Sequence, residues 1–343
     1  MSTGQHGSGA VEDRRCERSD DNRDRFGPGG QNQQPQLQPG VILIAISLLP
    51  VLTTDLLRRH RTPRATRTDI MIIMPASDYE FFDVPFLAFA HRGGAELPAN
   101  VGKENTLYAF GNAVELGYRY LETDVHATAD DQLVAFHDPR LDRVTDRTGA
   151  IGELSFKQVR SARVAGELQI PTLAELIEAF PQARFNIDCK AEGAVAPLAR
   201  QILDLGIGDR VCVSSFGVDR LRRLRKLLPG VASAVSSRGI AQLRFLPWLT
   251  RVPLIKNLID SPGVALQLPV TTTIAGREVT VVTPSLVKAA HRSGRQVHVW
   301  TVNESAEIER LLDLGVDGIF TDRPDTLKSV LQARGLWTAG SER

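Results

Sequence analysis

From residue 86 onward, short apolar runs alternate with longer stretches whose apolar residues recur at helical spacing. The runs predict strands at 86–90, 120–125, 133–136, 185–189, 211–214, 231–235, 264–268, 297–301 and 318–321. Helical spacing lies between them at 105–116, 172–180, 195–205, 218–228, 284–293 and 304–314, with Thr172 and Asn303 placed as caps and Gly117 and Gly315 as stops. Taking 120–125 and 133–136 as one hairpin unit, eight strand positions alternate with helices over about 250 residues, the pattern of a TIM-type (β/α)8 barrel. The expected barrel spans 84–335 and is followed by a tail at 336–343. In such a barrel the carboxyl ends of the strands share one mouth.

The hairpin carries the densest chemistry. Residues 121–138 place Glu122 and Asp124 two apart and His137 thirteen residues beyond Asp124. Too few residues join the halves for a parallel crossover, so they fold back as an antiparallel pair. With Asp130 and Asp131 in the turn, 129 opposes 132 and 124 opposes 137, which sets His137 beside Asp124. Crowded carboxylates need a proton or a cation, and a hard oxygen cluster suits Mg²⁺ or Ca²⁺ better than Zn²⁺. A solvated surface hairpin would account for any one of these pairs, so the reading depends on what the other strands add.

They add matching groups. The first strand ends in His91-Arg92-Gly93-Gly94, where glycines let the chain turn tightly beside a ligand. The strand at 185–189 places Asn186, Asp188 and Lys190 on one face by alternation. Asp188 with Lys190 alone reads as an ordinary ion pair. Together the strand ends bring two histidines, three acids, an arginine and a lysine to one mouth.

Composition narrows the class. The chain has 343 residues, 42% of them hydrophobic, and a net charge of +1, so bulk charge gives no reason to expect a nucleic-acid partner. Cys16, Cys189 and Cys212 form no spaced framework and read as reduced thiols. Residues 1–80 are set apart from the barrel: the first 40 or so are polar and read as a disordered, low-complexity extension. The apolar run at 41–52 is too short to span a bilayer and is succeeded by the basic cluster Arg58-Arg59-His60-Arg61, which favours a cytoplasmic location for the rest of the chain. Translation from Met71 or Met74 is the alternative account of this region.

The ordered set of motifs resembles the glycerophosphodiester phosphodiesterase family. It runs His91-Arg92-Gly93, Glu104-Asn105-Thr106, Glu122-x-Asp124-Val125, the Thr128-x-Asp130 turn and His137-Asp138. Val213-Ser214-Ser215, Trp300-Thr301 and Gly318-Ile319-Phe320-Thr321-Asp322 continue it over roughly residues 86–333. The resemblance implies a TIM-type barrel acting as a phosphoric diester hydrolase, with His91 and His137 as general acid and base. It further implies Arg92 and Lys190 as phosphate contacts and Glu122, Asp124 and Asp188 as ligands of a divalent ion, Mg²⁺ or Ca²⁺. Many members have glutamate where this chain has Asp188, which is one methylene shorter; related sphingomyelinase D enzymes are similar in using aspartate. The turn glycine is replaced by Asp131, which tolerates positive φ.

The expected reaction is metal-dependent hydrolysis of a glycerophosphodiester to glycerol 3-phosphate and an alcohol, by water or by internal attack of a neighbouring hydroxyl. Two imidazoles titrating near neutrality suit the proton transfers, and a divalent ion with two cations suits the developing phosphoryl charge. Residues 240–256 combine aromatic and aliphatic side chains with Arg244, Arg251 and Lys256, and their prolines argue against one continuous helix. That segment is expected either to pack as an irregular barrel helix or to contact lipid at a membrane surface. In the second case the substrate is a lysophospholipid, cleaved by a lysophospholipase D-like reaction to lysophosphatidic acid. A catalytically silent binding protein on the same barrel is the reading from another class.

Overall fold

The computed structural model describes residues 74–251 and 262–338. The extension with its apolar run at 41–52, the end of the 240–256 segment and the last residues of the tail lie outside them. Up to the end of the third long strand, the elements are β1 (Leu87–His91), α1 (Leu107–Glu115), β2 (Tyr120–Ala127), β3 (Leu133–Ala135), α2 (Phe156–Ser161), β4 (Arg163–Val164), β5 (Leu168–Gln169), α3 (Leu173–Ala179) and β6 (Arg184–Cys189). Next come α4 (Val195–Asp204), β7 (Val211–Ser214), α5 (Val218–Leu227), β8 (Ala232–Ser233), α6 (Ser237–Phe245), β9 (Ala265–Pro269), β10 (Thr271–Ile274) and β11 (Arg277–Thr280). The chain ends with α7 (Pro284–Arg292), β12 (Gln296–Trp300), α8 (Ser305–Leu314), β13 (Gly318–Thr321) and α9 (Pro324–Ala333).

Parallel pairing runs β8-β7-β6-β2-β1-β13-β12-β9. A bridge between Ala234 and Ala265, with Val235 N donating to Ala265 O at 2.7 Å, joins the two ends, so the sheet closes into the expected barrel. Alternation then divides each strand. Ala90, Leu121, Val125, Phe185, Ile187 and Val213 face outward and pack with Phe110, Leu176 and Leu198 of the helical layer. Phe89 and Phe320 face inward and stack at 4.2 Å between ring centroids, and Tyr120 meets Phe89 edge to face at 5.4 Å. Phe81 and Phe82, in a short 3₁₀ turn (Glu80–Phe82) ahead of β1, are buried in the same cluster and seal the barrel from beneath. Burial of a phenylalanine contributes about 1.5–3 kcal/mol each.

Local signals explain most boundaries. Thr172 caps α3 through a capping box, accepting from Glu175 N at 3.1 Å while Glu175 accepts from Thr172 N at 2.8 Å. Gly117 and Gly315 take the positive φ expected at helix ends. Asn303 is not a cap: α8 has Glu304 at its N-cap position, and the Asn303 side chain instead accepts from Thr321 Oγ1 and Asp322 N.

The hairpin register is one residue away from the expected one. Val125 pairs with Ala135, His126 with Val134 and Ala127 with Leu133. Thr128 N donates to Gln132 O and Asp131 adopts φ +59°, so the connection has three residues with a left-handed third position rather than two. One extra residue in the turn moves the whole ladder. Phe136 N, not His137 N, therefore donates to Asp124 O, and His137 lies beyond the end of β3.

Candidate active site

β1 ends at His91, and the chain turns at once. Gly93 and Gly94 take φ values of 87° and 84°. A Cβ on Gly93 would stand 2.9 Å from the backbone of Ala109 and Phe110, and one on Gly94 would stand 2.6 Å from the Pro324 ring. Both the turn and the close approach of α1 and α9 thus require glycine. The turn leaves His91 between two acids: Nδ1 lies 2.7 Å from Asp322 Oδ1, and Nε2 lies 3.8 Å from Glu122 Oε2. A carboxylate only accepts, so Nδ1 donates and Nε2 is left for proton exchange. Burial opposes charging of the ring, yet Asp322 and Glu122 raise its pKa above that of a free imidazole.

Glu122, Asp124 and Asp188 are buried on adjacent strands, with Asp124 directly opposite Asp188. Burial and the neighbouring Asp124 push Glu122 up to about 7. Asp124 is equally buried, but Lys190 and Arg92 hold its carboxyl well below the usual range. Lys190 Nζ bridges the pair at 2.8 Å from Asp124 Oδ1 and 2.7 Å from Asp188 Oδ2. Arg92 Nε is 3.4 Å from Asp124 Oδ2, and Asn105 Nδ2 donates to the same oxygen at 3.1 Å.

His137 is oriented outside the sheet. Its Nδ1 donates to Asp138 Oδ1 at 2.6 Å, and its carbonyl accepts from His126 Nε2 at 3.1 Å. Asp138 links it through Arg143 and Glu104 to Arg92, whose Nε lies 3.4 Å from Asp124 Oδ2, so it shares the mouth with the carboxylates. At the rim, Phe216 and Trp300 meet edge to face at 5.8 Å. The mouth therefore gathers His91, Arg92, Glu122, Asp124, His137, Asp188 and Lys190. Asp322, Asp138 and Glu104 stood in motifs without an assigned task, and Arg143 stood outside them; each orients one of the seven directly or through one intermediary.

The three carboxylates fit a hard divalent cation by donor chemistry, and burial together with the neighbouring Asp124 disfavours the charged form of Glu122, which a cation there would favour. Among the described residues no group of three or more His, Cys, Asp and Glu side chains is already drawn together around a metal position. Lys190 supplies the positive charge between Asp124 and Asp188. Among the described residues no helix is long and apolar enough to cross a membrane.

Comparison with known proteins bears on the family and the fold. Residues 91–326 match the Glycerophosphoryl diester phosphodiesterase family. The chain is 41% identical over 261 residues to the probable glycerophosphodiester phosphodiesterase 2 of Mycobacterium tuberculosis, covering 73% of this chain and 92% of that protein. It is 30% identical over 270 residues to a lysophospholipase D of Mus musculus, covering 71% and 85%. The solved structure of an Oleispira antarctica phosphodiesterase in complex with the product sn-glycerol-3-phosphate shares the fold, with a TM-score of 0.59 at 22% identity over 74% of this chain and 99% of that one.

Fold and relatives define a phosphoric diester hydrolase on a TIM-type barrel. More narrowly, the chain belongs to the glycerophosphoryl diester phosphodiesterase family.

Proposed function

We propose that the protein hydrolyses a glycerophosphodiester to glycerol 3-phosphate and an alcohol, with His91 and His137 sharing the proton transfers. The observation that carries this reading is the paired orientation of the two imidazoles. Each Nδ1 is held by a carboxylate, at 2.7 Å from Asp322 and 2.6 Å from Asp138. Each Nε2 is thereby the exchanging nitrogen. One imidazole removes the proton of the attacking hydroxyl, from water or from the substrate itself, and the other protonates the departing alkoxide. Arg92 and Lys190 meet the phosphoryl oxygens, where their charge is worth most as negative charge builds. Glu122, Asp124 and Asp188 would hold a divalent ion, Mg²⁺ or Ca²⁺, which supplies Lewis-acid stabilisation of the phosphoryl group when bound. The solved product complex of the Oleispira relative supports glycerol 3-phosphate as the shared product.

The test is release of choline, ethanolamine or glycerol from glycerophosphodiesters in Mg²⁺, Ca²⁺ or EDTA. Release that depends on metal and falls by about 10²–10⁴ in His137→Ala supports the reading. Undiminished release in EDTA would remove the metal from it.

A second reading, lysophospholipase D-like cleavage, draws on a different surface. Phe245 and Trp248 are exposed, and Trp248 lines a groove of about 460 Å³ with Arg251, Lys288 and Arg292. α6 ends at Phe245, just ahead of Pro247, and a 3₁₀ turn (Pro247–Arg251) succeeds it, as the prolines predict. Aromatic side chains among cations suit an anionic lipid surface, and the mouse relative is named for lysophospholipid cleavage. Residues 252–256 of the expected lipid-contacting segment lie outside the described residues. If Phe245→Ala with Trp248→Ala leaves the lysophospholipid-to-glycerophosphodiester rate ratio unchanged, this reading fails.

A further inference from the structure

We propose that Arg143 is a positioning residue, a clamp that holds His137 and Arg92 in a fixed mutual arrangement. The proposal rests on the reading that both residues belong to the catalytic machinery. Arg143 Nε donates to Asp138 Oδ2 at 2.6 Å and Nη2 to Asp138 Oδ1 at 3.1 Å. The other edge of the guanidinium grips Glu104, with Nη1 donating to Oε2 at 3.0 Å and Nη2 to Oε1 at 2.6 Å. Each of these acids already serves a second group. Asp138 Oδ1 accepts from His137 Nδ1 at 2.6 Å, and Glu104 Oε1 accepts from Arg92 Nη1 at 3.1 Å. One guanidinium thus joins the acid behind an imidazole to the acid behind a phosphate-binding arginine.

The clamp is built on a support of its own. Arg143 ends a 3₁₀ turn (Leu141–Arg143) whose Leu141 is buried with Val134, Phe136, Ile151 and Ile170, a cluster separate from the barrel interior. Leu141 N donates to Gly149 O at 3.0 Å, and Thr145 Oγ1 donates to Leu141 O at 2.8 Å. The guanidinium position is therefore set by the segment after β3, while Glu104 and Arg92 belong to the loop after β1. Four hydrogen bonds occupy most of the five donors an arginine has, so Arg143 acts through its two acids and not on the substrate.

Two features separate this role from an ordinary surface ion pair. The Arg143 side chain is 47% exposed, and exposed pairs contribute little to stability. Its loss should be felt in rate and not in melting. The demand is also for a fork: a lysine is a point charge and cannot hold two carboxylates along both edges. Without the fork, Asp138 keeps its charge but loses two donors, and the imidazole it orients is free to swing off line.

The test uses the full chain with metal, glycerophosphocholine as substrate, and the variants Arg143→Ala, Arg143→Lys, His137→Ala and Arg143→Ala with His137→Ala. A displacement of about 1 Å in a catalytic group costs on the order of 10²-fold in rate, so Arg143→Ala is expected to lower kcat by roughly 10- to 100-fold. The same variant should keep its melting temperature within about 2 °C. Arg143→Lys should stay within about threefold of Arg143→Ala, because the fork is what is lost. In the His137→Ala background the second change should cost less than it does alone, since only the hold on Arg92 through Glu104 remains to be lost. A wild-type kcat in Arg143→Ala, full recovery in Arg143→Lys, or losses that multiply in the double variant would each overturn the clamp. If Arg143→Ala does not fold, the Arg143→Lys result decides on its own. His137→Ala at the wild-type rate would instead overturn the reading beneath it.

Discussion

The two histidines are held by the same bond in different ways. His91 closes a central strand, and its partner Asp322 lies just past the neighbouring strand β13, so the barrel itself fixes the angle between them. His137 has left the sheet, and its partner Asp138 is the next residue in the chain, held by Arg143. An imidazole on the sheet inherits the sheet's rigidity; one beyond a strand end needs fastening from side chains.

The largest effect should come from the rings themselves. His91→Ala and His137→Ala are each expected to lower kcat/KM by about 10²–10⁴, measured as alcohol release at saturating metal; a loss confined to one variant would break the symmetry. Removing the orienting charges comes next. Asp322→Asn and Asp138→Asn should each cost about 10- to 100-fold, the range seen when partners that orient a ligand ring are lost. Arg143→Ala should resemble Asp138→Asn and not Asp322→Asn in its pH profile.

A third prediction concerns the turn on the His91 side. Gly93→Ala places a Cβ 2.9 Å from backbone at a φ of 87°, a strain of about 1–3 kcal/mol. The urea midpoint should fall accordingly, whereas Asp131→Ala in the exposed hairpin turn should be milder. The smallest effect is a pH dependence from the barrel interior. His298 lies among Phe82, Phe89 and Phe320, and burial pushes its pKa down to about 3. Between pH 3 and the unfolded value near 6.5, only the unfolded chain takes up the proton, so stability falls as pH falls. From pH 7 to pH 5 this group should remove about 2 kcal/mol. Urea unfolding of His298→Gln should show a shallower pH slope than wild type; equal slopes would remove the account.

Much of this was legible in the sequence, and the misses have physical causes. The strands at 211–214 and 318–321 were read at their observed bounds because continuous apolar runs mark buried parallel strands. The hairpin register was missed because it turns on one backbone angle, the positive φ of Asp131. Asn303 looked like a cap but is drawn away by Thr321 and Asp322, contacts that exist only once the barrel closes. Asp322 lies 231 residues from His91, and only the pairing of β13 with β1 reveals what it does. Arg143 carries no periodic signal and belongs to an irregular turn.

The aromatic floor has a consequence for traffic. Phe81, Phe89, Phe320 and the buried His298 fill the barrel below the carboxylates. The site is therefore a blind well, open at the loop end and stopped at the other. A ligand that reaches the carboxylates therefore has one way in and the same way out, the loop end.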